Sequence, residues 1–154
     1  MSQLNGRPAI ILLAEDDPGD QELTRRAFEA SEMQSQLYIV GDGEEALDFL
    51  FGRGKYTRRD ACPRPDLVLL DLNMPKIDGC QVLQRIRADS DLRCLAVVAL
   101  TTSRRDADIT NLYDLGVNSY IPKPTDMEQF ADIVRVLEEY WFEAALLPPR
   151  GTER

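Results

Sequence analysis

Short apolar runs alternate with longer amphipathic stretches along this chain, and the alternation occurs five times. The run Ala9–Ala14 contains no polar residue, which is typical of a central parallel strand that is covered on both faces. The amphipathic stretches repeat their apolar residues at helical spacing. Strands that alternate with helices predict an α/β fold with one parallel sheet.

The boundaries of these elements follow from the same pattern. We predict strands at residues 9–14, 37–40, 67–70, 96–100 and 119–122. A helix follows each strand: the first has Asp17 as N-cap and Pro18 as first residue, and the last begins with a capping box of Thr125 and Glu128 and runs to about residue 145. Residues 52–65 have no periodicity and carry a basic cluster, so we predict a surface loop with solvated cations.

The length suits one domain with one core. We expect an N-terminal tail at residues 1–8, the folded domain at 9–147 and a C-terminal tail at 148–154. The first eight residues carry no hydrophobic signal core, and the longest apolar run is too short to span a bilayer. We therefore expect a soluble, cytoplasmic protein without a membrane partner.

Composition excludes several classes of function. The net charge of −9 repels a phosphate backbone, so we expect no nucleic-acid partner. The chain has no histidine, which removes histidine-based catalytic triads and the commonest neutral-pH general base. The three cysteines show no C-x-x-C spacing, so neither a disulfide framework nor a zinc site is expected.

Polar residues stand at the carboxyl ends of the predicted strands, where open parallel sheets bind their ligands. These residues are Glu15 and Asp16 after the first strand, Asp71 after the third, Thr101 after the fourth and Lys123 after the fifth. If the strand order is 2-1-3-4-5, the first and third strands are neighbours, and the three acidic residues converge in one crevice.

Converging carboxylates need a proton or a cation, because two of them about 4 Å apart repel each other by about 4 kcal/mol at an effective dielectric near 20. Oxygen ligands without histidine or cysteine favour Mg²⁺, which also binds phosphoryl oxygens. Asp71 follows an apolar strand and is our candidate nucleophile on phosphorus. Lys123 and Thr101 are our candidates for stabilising the transferred phosphoryl group.

These motifs resemble the response-regulator receiver domains of two-component signalling. The resemblance rests on Glu15-Asp16, residues 69–79 (LLDLNMPKIDG), Thr101-Thr102 and Lys123-Pro124, and it covers residues 10–143. It implies a flavodoxin-like α/β fold, with five parallel strands in the order 2-1-3-4-5 and five helices on both faces. The segment 52–65 and the C-terminal stretch further resemble the single-domain regulators that serve phytochrome-type histidine kinases.

The resemblance implies a role for each matching residue. Asp71 is then the phosphoacceptor, which takes its phosphoryl group from a histidine kinase. Mg²⁺ is then held by Glu15, Asp16, Asp71 and the backbone carbonyl of Asn73. Thr101 is the expected switch hydroxyl, Lys123 the phosphate partner and Tyr120 the switch aromatic. Pro124 is expected to follow a cis peptide bond.

The last helix carries two apolar stripes. One stripe fits the domain's own core, and its members are Met127, Phe130, Val134, Leu137 and Trp141. The other consists of Ile133, Val136, Tyr140, Ala144 and Leu147. A broad core contact explains the second stripe, but we favour a homodimer surface through the last helix.

Two other functions are open to an α/β fold with such residues. A phosphatase of the haloacid-dehalogenase type also uses an aspartate nucleophile and Mg²⁺, but it requires Asp-x-Asp, and the second position here is Asn73. A flavodoxin-like electron carrier needs a phosphate-binding first loop, which the acidic run Glu15–Asp17 would repel. We therefore expect a signalling receiver and not an enzyme.

Overall fold

The computed structural model describes residues 7–144 and 147–148, and within them the chain forms one parallel sheet flanked by helices. The strands are β1 (Ala9–Ala14), β2 (Ser35–Val40), β3 (Leu67–Leu70), β4 (Ala96–Thr101) and β5 (Ser119–Pro122). The helices are α1 (Pro18–Glu29), α2 (Gly43–Phe51), α3 (Gly79–Ala88), α4 (Asp106–Asp114) and α5 (Met127–Glu138). The observed strand order, β2-β1-β3-β4-β5, confirms the predicted one.

The central strands are buried on both faces, as their unbroken apolar runs predict. Every residue of β1, β3 and β4 is buried. Successive side chains of a strand point to opposite faces, so each strand contributes to two cores. Leu12 packs with residues of α2, α3 and α4, whereas Ile11 and Leu13 pack with residues of α1 and α5. The helices therefore hold the sheet from both sides.

Aspartate side chains cap four of the helices at their N-termini. Asp17 caps α1 as predicted, since its carboxylate accepts the Asp20 N–H at 2.8 Å. The predicted cap of α5 is wrong by one residue: Asp126, not Thr125, is the N-cap and accepts the Gln129 N–H at 2.8 Å. Thr125 instead donates its N–H to the side chain of Gln129 at 3.0 Å. Asp is somewhat favoured over Thr as an N-cap, but both are common caps and the capping-box spacing favoured Thr125.

The segment 52–65 is a surface loop with exposed cations, as predicted, except that Arg59 is half-buried against α2. The Arg59 guanidinium donates to the carbonyls of Phe49 (3.2 Å) and Leu50 (2.9 Å), near the end of α2, and to that of Cys62 (3.3 Å). These helix carbonyls have few partners of their own, and a cation suits the negative end of the helix dipole. Arg58 does behave as predicted, pairing with Asp60 on the exposed surface.

Two further residues of the segment contact Glu45 on α2. The hydroxyl of Tyr56 donates to the Glu45 carboxylate at 2.5 Å, and Lys55 Nζ lies 2.9 Å from it. The ring of Tyr56 also packs against Phe49, with centroids 5.1 Å apart. We call the contacts of Lys55, Tyr56 and Arg59 with α2 the α2 clamp.

Helix α5 continues as a π-helix, Glu139–Ala144. Its residue Phe142 is completely buried and packs into the core between the sheet, α1 and α5. Within the described residues, none of the helices combines the length and the apolar character needed to cross a membrane.

Candidate functional site

The register of the sheet brings the predicted acidic residues together. Ala14 of β1 is paired with Leu70 of β3, so Glu15 and Asp71 leave neighbouring strands at the same level. The Asp71 N–H donates to the Ala14 carbonyl at 3.0 Å, and this bond continues the ladder by one residue. The side chains of these residues therefore start from fixed backbone positions at the carboxyl edge of the sheet.

Three carboxylates form a cluster there. Glu15, Asp16 and Asp71 each offer an oxygen, and these oxygens lie within 4.8 Å of one another. Glu15 and Asp71 are buried, while Asp16 is exposed. Burial, with a smaller contribution from the charge of Asp71, raises the pKa of Glu15 to about 7, although Lys123 and the Asp17 N–H oppose the shift. Oxygens in this arrangement fit a hard divalent cation, with exposed Asp16 on the solvent side.

Lys123 enters the cluster from the fifth strand. Its Nζ lies 2.6 Å from Glu15 Oε1, 2.9 Å from Asp20 Oδ2 and 3.4 Å from Asp71 Oδ2. Burial by itself would lower the pKa of Lys123, but its hydrogen bonds to Glu15 and Asp20 and the charge of Asp71 outweigh burial and raise that pKa. Lys123 is therefore an ammonium ion at neutral pH, aimed at the predicted phosphoacceptor.

Asp20 is the residue of this site that sequence reasoning missed. It lies in the first turn of α1, and its side chain reaches Lys123 from the helix. The signal was present, because the correctly predicted cap at Asp17 places the first turn of α1 at the same edge of the sheet. An acidic residue in a first turn is ordinarily explained by the helix dipole, so its presence there does not by itself indicate a second role.

Thr101 ends β4 at the carboxyl edge of the sheet. The residue is fully buried, and within the described part of the chain its Oγ1 has no hydrogen-bond partner. Buried hydroxyls are nearly always hydrogen-bonded, so such an atom suits a group that accepts a bond from it. The Thr101 carbonyl accepts the Lys123 N–H at 2.8 Å, which ties the two residues together.

Tyr120 lies half-buried beside this strand end. Its hydroxyl donates to the Ser103 carbonyl at 2.8 Å, two residues after Thr101. The ring packs against the core shared by α2, α3 and α4. Its role as a switch stays a prediction, but the contact joins Tyr120 to the loop that follows Thr101.

The loop after Asp71 needs a glycine at its far end. A Cβ on Gly79 would lie 2.4 Å from the Asp71 carbonyl oxygen, closer than carbon and oxygen can approach. Asn73 is exposed on this loop, two residues after Asp71. Its carbonyl as a metal ligand stays a prediction.

The expected cis peptide bond before Pro124 is wrong for this structure. No peptide bond among the described residues is cis, so Lys123 and Pro124 are joined in trans. A proline-preceding amide favours trans by about 0.5–1 kcal/mol unless its surroundings oppose it. In the trans form Lys123 still places Nζ in the acidic cluster.

The second stripe of the last helix is only partly exposed. Val136 and Tyr140 are exposed at 51% and 56% of their surface. Ile133 and Leu147 instead pack against the core between the sheet, α1 and α5. The side chain of Ala144 lies outside the described residues. The continuous apolar face that we predicted is therefore not formed by all five residues.

A π-helix interrupts the α-helical spacing before the last members of the stripe. The prediction extended α-helical spacing to Leu147, but the chain changes to π-helical hydrogen bonding, from i→i+4 to i→i+5, at residues 139–144. The α-helical spacing from Val136 therefore does not extend to Leu147, which packs against the core.

The sequence matches the family model described as "Response regulator receiver domain" over residues 11–135. Response regulator Rcp1 from Synechocystis sp. is 38% identical over 148 residues, which cover 96% of this chain and 99% of that relative.

Solved structures agree with the sequence match. The phosphorylated cyanobacterial phytochrome response regulator RcpA has a TM-score of 0.86 and 40% identity, and the match covers 93% of this chain and all of that chain. The Mn(2+)-bound form of response regulator Rcp1 has a TM-score of 0.82 and 39% identity, over 92% of this chain and all of that one.

Proposed function

The chain belongs to the response regulator receiver domain family, whose members partner histidine kinases, and on that premise we propose that Asp71 accepts the phosphoryl group. The observation that carries the proposal is the convergence of Asp71 with Glu15, Asp16 and Lys123 at one edge of the sheet. Among the relatives, RcpA has been crystallised in a phosphorylated form, which supports the same chemistry here.

In the transfer, a carboxylate oxygen of Asp71 attacks the phosphorus of a phosphohistidine. The new bond joins that oxygen to phosphorus, and the bond from phosphorus to the imidazole nitrogen breaks. The electron pair of the broken bond stays on the imidazole, which takes up a proton. Lys123 binds a phosphoryl oxygen through its ammonium group, and the Thr101 hydroxyl donates to another.

We propose Mg²⁺ as the metal. The carboxylates of Glu15, Asp16 and Asp71, with the carbonyl of Asn73, would hold it, and the oxygen-only donor set supports this choice. When bound, it neutralises charge on the phosphoryl oxygens. The structure of a Mn(2+)-bound form of Rcp1 supports a divalent ion.

The signal leaves through the domain's own surface in this proposal. A phosphoryl oxygen that takes a hydrogen bond from Thr101 draws the end of β4 inward. The carbonyl of Ser103, two residues after Thr101, accepts the hydrogen bond from the Tyr120 hydroxyl, so this hydrogen bond is the first one affected. We propose that the surface of α4, β5 and α5 changes as a result, with Tyr120 as the switch aromatic.

The donor that we propose is a phytochrome-type histidine kinase. The relative RcpA is a phytochrome response regulator, and this chain covers its whole length. We place the receiver at residues 9–147 and its action in the cytoplasm, where its three free cysteines stay reduced. The acidic net charge supports protein partners over nucleic acid.

We also propose a homodimer through the last helix. Val136 and Tyr140 support it, because both are large apolar or aromatic side chains that expose more than half of their surface. Sedimentation velocity of the wild type and of Tyr140→Ser tests it. We expect dimers only in the wild type, and a monomeric wild type at all concentrations would contradict the proposal.

Phosphoryl transfer is tested by intact mass after incubation with acetyl phosphate, with and without Mg²⁺. We expect one phosphoryl adduct on the wild type that requires the metal. Asp71→Asn should show no adduct, while Asp60→Asn, which removes an exposed aspartate outside the site, should behave as the wild type. A wild type that stays unlabelled, or an adduct that survives Asp71→Asn, would refute the assignment.

A further inference from the structure

The side chain of Asp20 contacts the site through Lys123. Its Oδ2 lies 2.9 Å from Lys123 Nζ, although the two residues are 103 positions apart in the chain. The cation-binding group of Glu15, Asp16 and Asp71 does not include it. The side chain is a quarter exposed, at the edge of the site.

The Asp20 carboxylate is not used to cap its helix. Asp17 performs that role, and Asp20 contributes only its N–H to the cap. An acidic side chain in a first helical turn gains from the dipole wherever it points. The contact with Lys123 is therefore a separate feature, and it places the carboxylate on the one cation of the cluster.

The three N–H donors of the Lys123 ammonium face three carboxylates. The contacts with Glu15 and Asp20 are short, at 2.6 and 2.9 Å, and the contact with Asp71 is the long one, at 3.4 Å. Two short bonds to fixed acceptors leave the third donor directed at Asp71. A phosphoryl group on Asp71 would accept a hydrogen bond from this third donor.

A cation bound by Glu15, Asp16 and Asp71 competes with Lys123 for Glu15. The contact with Asp20 is then the short contact that still holds the ammonium, because Asp20 stands outside the cation-binding group. We propose that Asp20 is a positioning residue, which orients Lys123 toward the phosphoryl group on Asp71 by accepting one of its hydrogen bonds. This inference rests on the proposed function.

The test compares Asp20→Ala with Asp20→Asn at saturating Mg²⁺. Alanine removes the acceptor, whereas asparagine keeps an oxygen that accepts from Lys123 without the charge. The matched control is Glu22→Ala on the same helix, since Glu22 pairs with Arg25 and Arg26 instead. The readouts are the labelling rate as a function of acetyl phosphate concentration and the Kd for beryllofluoride, a phosphoryl mimic.

We expect Asp20→Ala to lower the maximal labelling rate and the beryllofluoride affinity roughly tenfold, the effect of one charge-assisted hydrogen bond. Asp20→Asn should stay within about threefold of the wild type, as partial rescue by a neutral acceptor. Glu22→Ala should match the wild type. If Asp20→Ala folds poorly, Asp20→Ser replaces it, because serine is well tolerated near a helix N-terminus and its hydroxyl is too short to reach Nζ.

Two results would overturn the inference. Equal rates and affinities for Asp20→Ala and wild type mean that Lys123 is oriented without Asp20. Tighter beryllofluoride binding in both Asp20 variants means that the Asp20 charge competes with the phosphoryl group. A wild type without an adduct is a different result, because it refutes the proposed function itself.

Discussion

The acidic site and the α2 clamp are built from the same residue types in opposite proportions. In the site, the one ammonium of Lys123 faces the carboxylates of Glu15, Asp20 and Asp71. Negative charge is therefore in excess there. The buried hydroxyl of Thr101 adds a donor without a partner among the described residues.

In the clamp, the one carboxylate of Glu45 faces several donors. It accepts from the Gly41 N–H at 2.7 Å and from Tyr56 at 2.5 Å, and it pairs with Lys55 at 2.9 Å. Partial burial raises the pKa of Glu45, but the bonds from Tyr56 and Gly41 and the charge of Lys55 outweigh it and leave the pKa below 4.5.

The two glutamates therefore have opposite shifts, since burial raises the pKa of Glu15 to about 7. A carboxylate that is surrounded by donors stabilises the fold without further ligands. A group of carboxylates with one shared cation instead stores repulsion that a bound cation relieves. Similar residues thus serve stability in the clamp and ligand binding in the site.

The largest stability effect should come from Arg59→Ala in the clamp. It removes the guanidinium from the carbonyls of Phe49 and Leu50 at the end of α2, and we expect the free energy of unfolding to fall by about 2 kcal/mol. Urea unfolding measures it. The adjacent Arg58→Ala is the control, and its exposed pair with Asp60 should contribute less than about 0.5 kcal/mol. Equal effects of both variants would show that the clamp is a solvated loop.

A smaller loss should follow from Tyr56→Phe, and it should depend on pH. The variant removes one hydrogen bond to Glu45, which costs about 1 kcal/mol at pH 7. The folded pKa of Glu45 lies below its ordinary value of 4.5, so this stability is present above that pH and is lost as the pH falls through the folded pKa. Urea unfolding of both proteins from pH 7 to pH 3 should show the difference fading, and a difference that is constant with pH would contradict it.

The smallest stability effect should come from Asp71→Asn in the site. The variant removes the charge from the longest of the three Lys123 contacts and relieves repulsion with Glu15 and Asp16, so without metal the free energy of unfolding should not fall by more than about 0.5 kcal/mol. Urea unfolding in the presence of a chelator measures it. A loss above about 1 kcal/mol would show that the site, like the clamp, is built for stability.

Most of the fold was predictable because its signals are local. The apolar run of β1 and the Asp17–Pro18 helix start depend on neighbours in the chain, and both were confirmed. The stripe of α5 through Phe130 and Val134 was confirmed for the same reason. The last helix extends to Ala144, close to the predicted residue 145, but its assumed α-helical spacing was wrong, because the change to π-helical hydrogen bonding at residues 139–144 leaves no signal in the apolar pattern.

The sequence by itself determined the parallel sheet, the strand ends and the five polar residues that stand there, since burial and strand period follow from local patterns. Only the tertiary structure decided that Asp20 holds Lys123 and that Arg59 caps α2. It also decided that the bond before Pro124 is trans and that Leu147 faces inward. These features depend on which partners long-range packing brings within hydrogen-bond or van der Waals distance, and no local pattern contains that information.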